Sequence, residues 1–89
     1  MKIIKISAVW CPGCLVMNKV WKQIKEKYPN IDICELDYDI NSDEVMKYDQ
    51  EKKLPLTIFL DKNGNELERH IGELTFAYLE RKINEYENN

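Results

Sequence analysis

No stretch of this 89-residue sequence approaches the ~20 consecutive apolar residues that a membrane-spanning helix requires. The opening Met1-Lys2-Ile3-Ile4-Lys5-Ile6 is too short and too interrupted by lysine for a signal peptide, so the expected compartment is cytoplasmic. A basic block is missing too. Thirteen Lys and Arg against 16 Asp and Glu leave a net charge of -3, which offers no electrostatic footing for nucleic acid or an anionic membrane. Repeats, low-complexity segments and linkers are absent, and three Gly and three Pro act only as punctuation. The length fits one compact domain over residues 1-89 with a modest core, and 44% hydrophobic with 33% charged residues marks a chain that folds. Cysteine is scarce and odd in number. Three cannot staple a small scaffold, and Cys11 and Cys14 stand only two residues apart, a spacing that points to chemistry.

Ile3 to Val9 is apolar apart from Lys5 and Ser7 and predicts a first strand. Cys14, Met17, Trp21, Ile24 and Tyr28 then recur at steps of three and four, with Val16 and Val20 widening the stripe, which predicts an amphipathic helix stopped by Pro29-Asn30. Ile31, Ile33, Cys34 and Leu36 make a second short strand ending in Asp37-Tyr38-Asp39. A polar second helix is expected from Ser42, as N-cap, to about Glu51. Leu54 to Leu60 is apolar on both parities, as in a central strand covered on both faces, with Pro55 at its start. The turn Asp61-Lys62-Asn63-Gly64-Asn65 leads into Glu66 to Ile71, where Leu67 and Ile71 alternate with charged residues as in a half-exposed edge strand. Phe76, Leu79, Ile83 and Tyr86 mark a last helix fraying into Glu87-Asn88-Asn89. The order βαβαββα implies an α/β fold: a four-stranded mixed sheet flanked by three helices.

Disulfide exchange needs an attacking thiolate, a second thiol close by to resolve the mixed disulfide, and a means of keeping the first thiol ionised. Cys11 and Cys14 meet these needs at a strand-to-helix junction. Unpaired N-H groups and the positive dipole end of the helix favour a negative Cys11 sulfur, whose pKa should fall below the free value of roughly 8.5. Pro12 falls at the first helical position, where its missing N-H costs nothing. Cys14, one turn on and on the buried side, is the less accessible, resolving thiol. Zinc uses the same spacing, yet its remaining candidate ligands, Cys34 and His70, fall on different predicted strands. A packed but inert cysteine pair is the other alternative.

Trp10-Cys11-Pro12-Gly13-Cys14 on such a turn resembles the active site of the thioredoxin family. Leu54-Pro55-Leu56-Thr57-Ile58-Phe59-Leu60-Asp61-Lys62-Asn63-Gly64 resembles the family's strand that opens with a cis-proline and runs into a hairpin, and Gly72 matches the glycine before its last helix. The resemblance covers essentially the whole chain except the family's extra N-terminal strand and helix, so it implies a minimal, glutaredoxin-sized thioredoxin-like fold. It further implies that Pro55 is cis against the cysteine pair, where spacing alone would leave a trans edge proline. Leu54 would offer backbone hydrogen bonds to a substrate segment, and Trp10, Pro55 and Gly72 would frame a shallow apolar groove, with Pro12 and Gly13 also among the substrate-binding residues.

The sequence also departs from the family. Pro12-Gly13 reverses the usual Gly-Pro order and follows the glutaredoxin pattern, and Lys19 replaces a kinking proline in the helix, which is expected to run straighter. The family buries an acid five positions before the tryptophan, paired with a lysine on the neighbouring strand, as proton acceptor for the second cysteine. The matching positions here are Lys5 and Glu35. Either the pair is kept with signs exchanged, meeting beneath Cys14 to relay its proton, or both are solvated surface charges.

Cys34 reads as a small buried hydrophobe, with a regulatory thiol as the alternative. His70 is expected exposed on the edge strand, and the acidic run Asp37 to Glu44 as a solvated loop and helix start. The resulting expectation is a cytoplasmic, monomeric thiol-disulfide oxidoreductase acting on disulfide-containing proteins. It needs no metal or organic cofactor, and the resemblance implies resupply by a flavoprotein of the thioredoxin-reductase kind. A glutathione-dependent glutaredoxin-like enzyme and a non-catalytic thioredoxin-fold binding module are the rivals.

Overall fold

The computed structural model describes residues 1-48 and 53-87. In chain order it contains β1 (Lys2–Ser7), α1 (Pro12–Lys27), β2 (Asp32–Asp37), α2 (Ser42–Val45), β3 (Leu56–Leu60), β4 (Glu66–Ile71) and α3 (Phe76–Glu87). The strands form one sheet in the order β2-β1-β3-β4, with β1 parallel to β2 and antiparallel to β3, and β3 antiparallel to β4. This is the expected mixed sheet. Among the described residues no helix is long and apolar enough to cross a membrane.

The pleat of β1 sends alternate residues to opposite faces and so builds two cores. Ile3 packs with Met17, Trp21 and Ile24 of α1, Phe59 of β3, and Leu79 and Ile83 of α3. Ile4 and Ile6 pack on the other face with Leu36, Leu56, Ile58, Leu60 and Val45 of α2. Every residue of β3 is buried, because it lies between two strands and under a core on each face.

Four expectations need correction. β1 stops at Ser7 rather than reaching Val9, since the Cys11 N-H donates to Ala8 O at 3.2 Å and turns the chain toward α1. Val16 is exposed and does not widen the buried stripe of Cys14, Met17, Trp21 and Ile24. α2 is a single turn preceded by Asn41 rather than Ser42, and the Asn41 side chain accepts from the Asp37 N-H instead of capping the helix. Only Val45 of this turn reaches the core, and so short a helix has little else to hold it. The predicted continuation to about Glu51 lies outside the described residues. On β4, Ile71 pairs with Leu56 and remains 42% exposed, while Leu67 is skipped by the irregular pairing opposite Phe59 and Leu60 and remains 44% exposed. Glu68 and His70 face α3, so His70 is half-buried, its ring 5.6 Å from that of Tyr78.

Glu68 ties this edge strand to α3. Its carboxylate accepts from the Tyr78 hydroxyl at 2.6 Å and the Tyr86 hydroxyl at 3.1 Å, and pairs with the Lys82 ammonium at 3.0 Å. Burial pushes Glu68 up, but the bonds from Tyr78, Lys82 and Tyr86 together hold it below the usual carboxylate value. A depressed carboxylate contributes stability above its unfolded pKa, about 4.3, that is lost as pH falls through the lower folded value. Glu68→Gln should therefore melt below the wild type at pH 7, and the gap should close as pH falls through the acid range in thermal melts monitored by circular dichroism.

Candidate active site

One row of cross-strand neighbours, Leu36, Ile6, Leu56 and Ile71, runs across the sheet and marks where the site begins. Because β1 and β2 are parallel, the segments that follow them leave the sheet on the same side of that row. Because β3 is antiparallel to β1, its start meets the end of β1, and the end of β4 lies beside it. Four segments therefore converge: Ala8 to Cys11, Tyr38-Asp39, Leu54-Pro55 and Gly72-Glu73.

Cys11 occupies the N-cap of α1 with extended backbone, φ -96 and ψ 110, and Pro12 follows in the first turn. This position usually holds Ser, Thr, Asp or Asn, whose side-chain oxygen accepts one of the helix's unpaired N-H groups. Here sulfur takes that place: the Cys14 N-H donates to Cys11 Sγ at 3.2 Å. The first turn carries no acidic residue, so the sulfur is the group positioned to meet the positive end of the helix. Cys14 lies one turn on, its Cα 5.2 Å from that of Cys11, and the two are joined in a disulfide. Cys11 and Cys14 are both buried, 5% and 4% exposed, so burial separates them by little and the capping position is the larger difference. Ala8 packs with both, and Tyr38 and Leu54 close the cluster.

The Leu54-Pro55 bond is cis, as the resemblance implied, and Pro55 O accepts the Gly72 N-H at 2.8 Å. Gly72 has φ +107, in the left-handed region that favours glycine. A methyl group built on Gly13 would lie 3.1 Å from Pro55 Cδ, 3.4 Å from Glu73 Cγ and 3.8 Å from the Glu73 carboxyl carbon. The cis-proline loop therefore rests directly on the Pro12-Gly13 backbone.

Trp10 is exposed beside this junction, but it is not loose. Its indole N-H donates to Asp39 Oδ2 at 2.8 Å, and its ring meets Tyr38 edge-on with centroids 5.8 Å apart. The acidic run is thus more than a solvated loop. Asp37 Oδ1 accepts from the N-H groups of Asp39 at 2.9 Å and Ile40 at 3.0 Å, folding a turn that aims Asp39 at Trp10. Sequence reading missed Asp39 and Tyr38. The available signal was topological, since loops after adjacent parallel strands must meet.

Lys5 and Glu35 are direct neighbours in the parallel ladder, with Lys5 Nζ 3.3 Å from Glu35 Oε1. The Lys5 side chain is 11% exposed and that of Glu35 48%, so neither a fully buried pair nor two solvated charges describes them. Glu35 also binds Lys25, and the Lys5 ammonium stands 5.5 Å from the centre of the Trp21 ring. Burial pushes Lys5 below the ordinary ammonium value although Glu35 pulls it up. Glu35 is held below its ordinary value chiefly by the bond from Lys25, with Lys5 adding to it. Trp21 lies two helical turns, about 10 Å, beyond Cys14. Among the described residues, the recorded partners of Lys5 and Glu35 include neither sulfur.

Cys34 lies on edge strand β2, packed at the margin of the Ile4 core, while His70 lies on the opposite edge strand. They cannot join Cys11 and Cys14 around one metal, and no group of three or more metal-ligating side chains occurs among the described residues.

The capping role of Cys11 has a measurable consequence. Under reducing conditions Cys11→Ser should keep the stability of α1, since serine is a good N-cap, whereas Cys11→Ala should lower stability by about 1 kcal/mol in urea unfolding. Equal losses would mean that the sulfur does not cap the helix.

The thioredoxin family model matches residues 1-85. Thioredoxin H5 of Oryza sativa subsp. japonica is 31% identical over 70 residues, covering 79% of this chain and 50% of that protein. An H-type thioredoxin of Picea mariana is 30% identical over 80 residues, covering 90% of this chain and 62% of its own length. The chain thus spans only half to three-fifths of these relatives. The crystal structure of thioredoxin from Trypanosoma brucei brucei superposes with a TM-score of 0.83 at 25% identity, over 99% of this chain and 75% of that one. With the family model reaching from β1 into α3, and the cysteine pair, cis-proline and Gly72 meeting at one end of the sheet, the chain belongs to the thioredoxin family and has its fold.

Proposed function

We propose that this protein is a thiol-disulfide oxidoreductase that reduces disulfides in partner proteins. The observation that carries the reading is the Cys11 sulfur in the N-cap of α1, accepting the Cys14 N-H with Cys14 within disulfide reach. The family implies a redox-active cysteine pair and no bound metal or organic cofactor.

In the reduced protein the Cys11 thiolate attacks one sulfur of the partner's disulfide. A new S-S bond forms between Cys11 and the partner, the old one breaks, and the partner's other sulfur leaves as a thiolate. Cys14, having given up its proton, then attacks Cys11 Sγ, closing the Cys11-Cys14 disulfide and expelling the partner's second thiolate. Two electrons pass to the partner, whose two thiolates take up protons. Reduction of the disulfide by a flavoprotein reductase completes the cycle, and unpaired Cys34 fits a reducing, cytoplasmic setting.

Trp10 on one side and Pro55 with Gly72 on the other frame the groove in which the partner's disulfide lies. Pro12 and Gly13 form its floor, and an extended segment can hydrogen-bond the Leu54 backbone. In this reading Lys5, with Glu35, serves as a proton relay for Cys14. Its support is the burial that loosens the Lys5 proton and the sheet position of Lys5 under α1.

Cys11→Ser should abolish reduction of a model protein disulfide, whereas Cys14→Ser should accumulate a mixed disulfide with the partner that mass spectrometry can identify. Alkylation of Cys11 should be half-maximal below pH 8. Retained reduction in Cys11→Ser, or an alkylation midpoint at the free-thiol value of roughly 8.5, would sink the proposal. A non-catalytic binding module would instead bind its partner equally well with Cys11→Ser. For the relay, Glu35→Gln and Lys5→Met should each shift the titration of the Cys14 thiol, followed by cysteine NMR shifts. Unchanged titration and exchange rates in both would remove Lys5 and Glu35 from the mechanism.

A further inference from the structure

The two banks of the groove differ in charge chemistry. Val9, Trp10 and Ile40 are exposed on one bank, held in place by the Trp10 to Asp39 hydrogen bond, and present an apolar surface. On the other bank Lys53 precedes Leu54-Pro55 and Glu73 immediately follows Gly72, and of the two it is Glu73 that lies against the Gly13 position. Its side chain lies back across the active-site turn: Cγ and the carboxyl carbon come within 3.4 and 3.8 Å of where a side chain on residue 13 would begin. Glycine at that position leaves the space that Glu73 fills. Proline there, as in the order reversed by this sequence, would stand in its way.

Glu73 is exposed, and among the described residues it makes no hydrogen bond or ion pair. Other carboxylates of this molecule are occupied: Asp39 by Trp10, Glu35 by two lysines, Glu68 by two tyrosines and Lys82, Glu80 by Lys27 and Tyr28. An unpaired carboxylate lying over the turn that carries both sulfurs must meet any segment that presents a disulfide to Cys11.

Resting on the proposed disulfide exchange, we infer that Glu73 is a specificity-determining residue. It selects extended partner segments that carry a Lys or Arg beside the half-cystine under attack, with apolar neighbours toward Trp10 and Ile40. A cation there completes an ion pair as the segment docks, whereas an acidic neighbour meets like charge and is disfavoured. Glutathione disulfide, with four carboxylates against two ammonium groups, falls on the disfavoured side.

Three disulfide-containing peptides, identical except for Lys, Gly or Glu beside the half-cystine, test this through kcat/KM for the wild type, Glu73→Gln and Glu73→Lys at low and high salt. The wild type should prefer the Lys peptide over the Glu peptide by about tenfold at low salt, as expected for a unit charge meeting attraction or repulsion at ~6 Å in a watery groove. The ratio should fall toward one in Glu73→Gln, invert in Glu73→Lys and shrink with salt in the wild type. An inverted preference cannot come from misfolding. Equal rates for the Lys and Glu peptides in the wild type, or a preference that survives unchanged in both variants, would overturn the role of Glu73 and leave disulfide exchange standing. Failure of the wild type to reduce any of the three peptides would overturn both.

Discussion

A sulfur placed where a helix start requires a side-chain acceptor ties the chemistry of this protein to its fold. The first N-H groups of α1 have no carbonyl within the helix to bond, and Cys11 Sγ answers one of them through Cys14 N. In the proposed exchange the same atom carries the negative charge that attacks a disulfide, so the interaction that starts the helix would also favour the reactive form of the thiol. Its geometry depends on β1 ending at Ser7 and on the core in which Ile3 meets Met17, Trp21 and Ile24, because these fix the helix against the sheet. A defect in that core would move the sulfur as well as loosen the fold.

The groove around the sulfur arises from two different topological routes. Parallel pairing of β1 with β2 brings Trp10 to Asp39, one rim held by a single hydrogen bond. Antiparallel pairing of β3 with β1 and β4 brings Pro55 to Gly72, the opposite rim held by a backbone bond. Both rims stand just beyond the row Leu36, Ile6, Leu56 and Ile71, so the sheet register sets how they face each other across the sulfur. A register slip of one residue in β3 would turn Leu56 and Ile58 out of their core and carry Pro55 away from Gly13 together. Stability and site geometry are therefore selected by the same pairing.

Much of this was legible in the residues. Periodicity located α1 and α3, the doubly apolar run located the central strand, and the WCPGC and Leu54-Pro55 segments, through family resemblance, pointed to the candidate site and to the cis bond that the structure has. What escaped depended on long-range placement. Asp39 carries no local mark that separates a Trp10 partner from a solvated acid, and the distinction appears only once β2 lies parallel to β1. Glu73 could not be singled out until the absent side chain of Gly13 and the position of Pro55 were known. Val16 and Leu67 satisfied their periodic patterns but had no partner to cover them, since patterning states what a residue could bury and not what will be there to bury it. For Lys5 and Glu35 the register was legible, but the pull of Lys25 was not, because it comes from a different element.

The charges near the two sulfurs are arranged differently from the family pattern this sequence resembles, and the difference is one of depth. A buried acid under the cysteines is replaced by Lys5, half of a cluster whose two lysines and one glutamate carry a net positive charge. The carboxylate lying over Gly13 is instead that of Glu73, at the surface. Water and salt screen Glu73, so its influence reaches an approaching partner over a few ångströms and fades with ionic strength. Lys5 is shielded from solvent by Trp21 and the sheet, so its field is screened less but acts from about 10 Å along the helix. In the proposed exchange Lys5 acts on the thiol pair from below and Glu73 on what approaches from above, and the two can vary independently because different elements carry them.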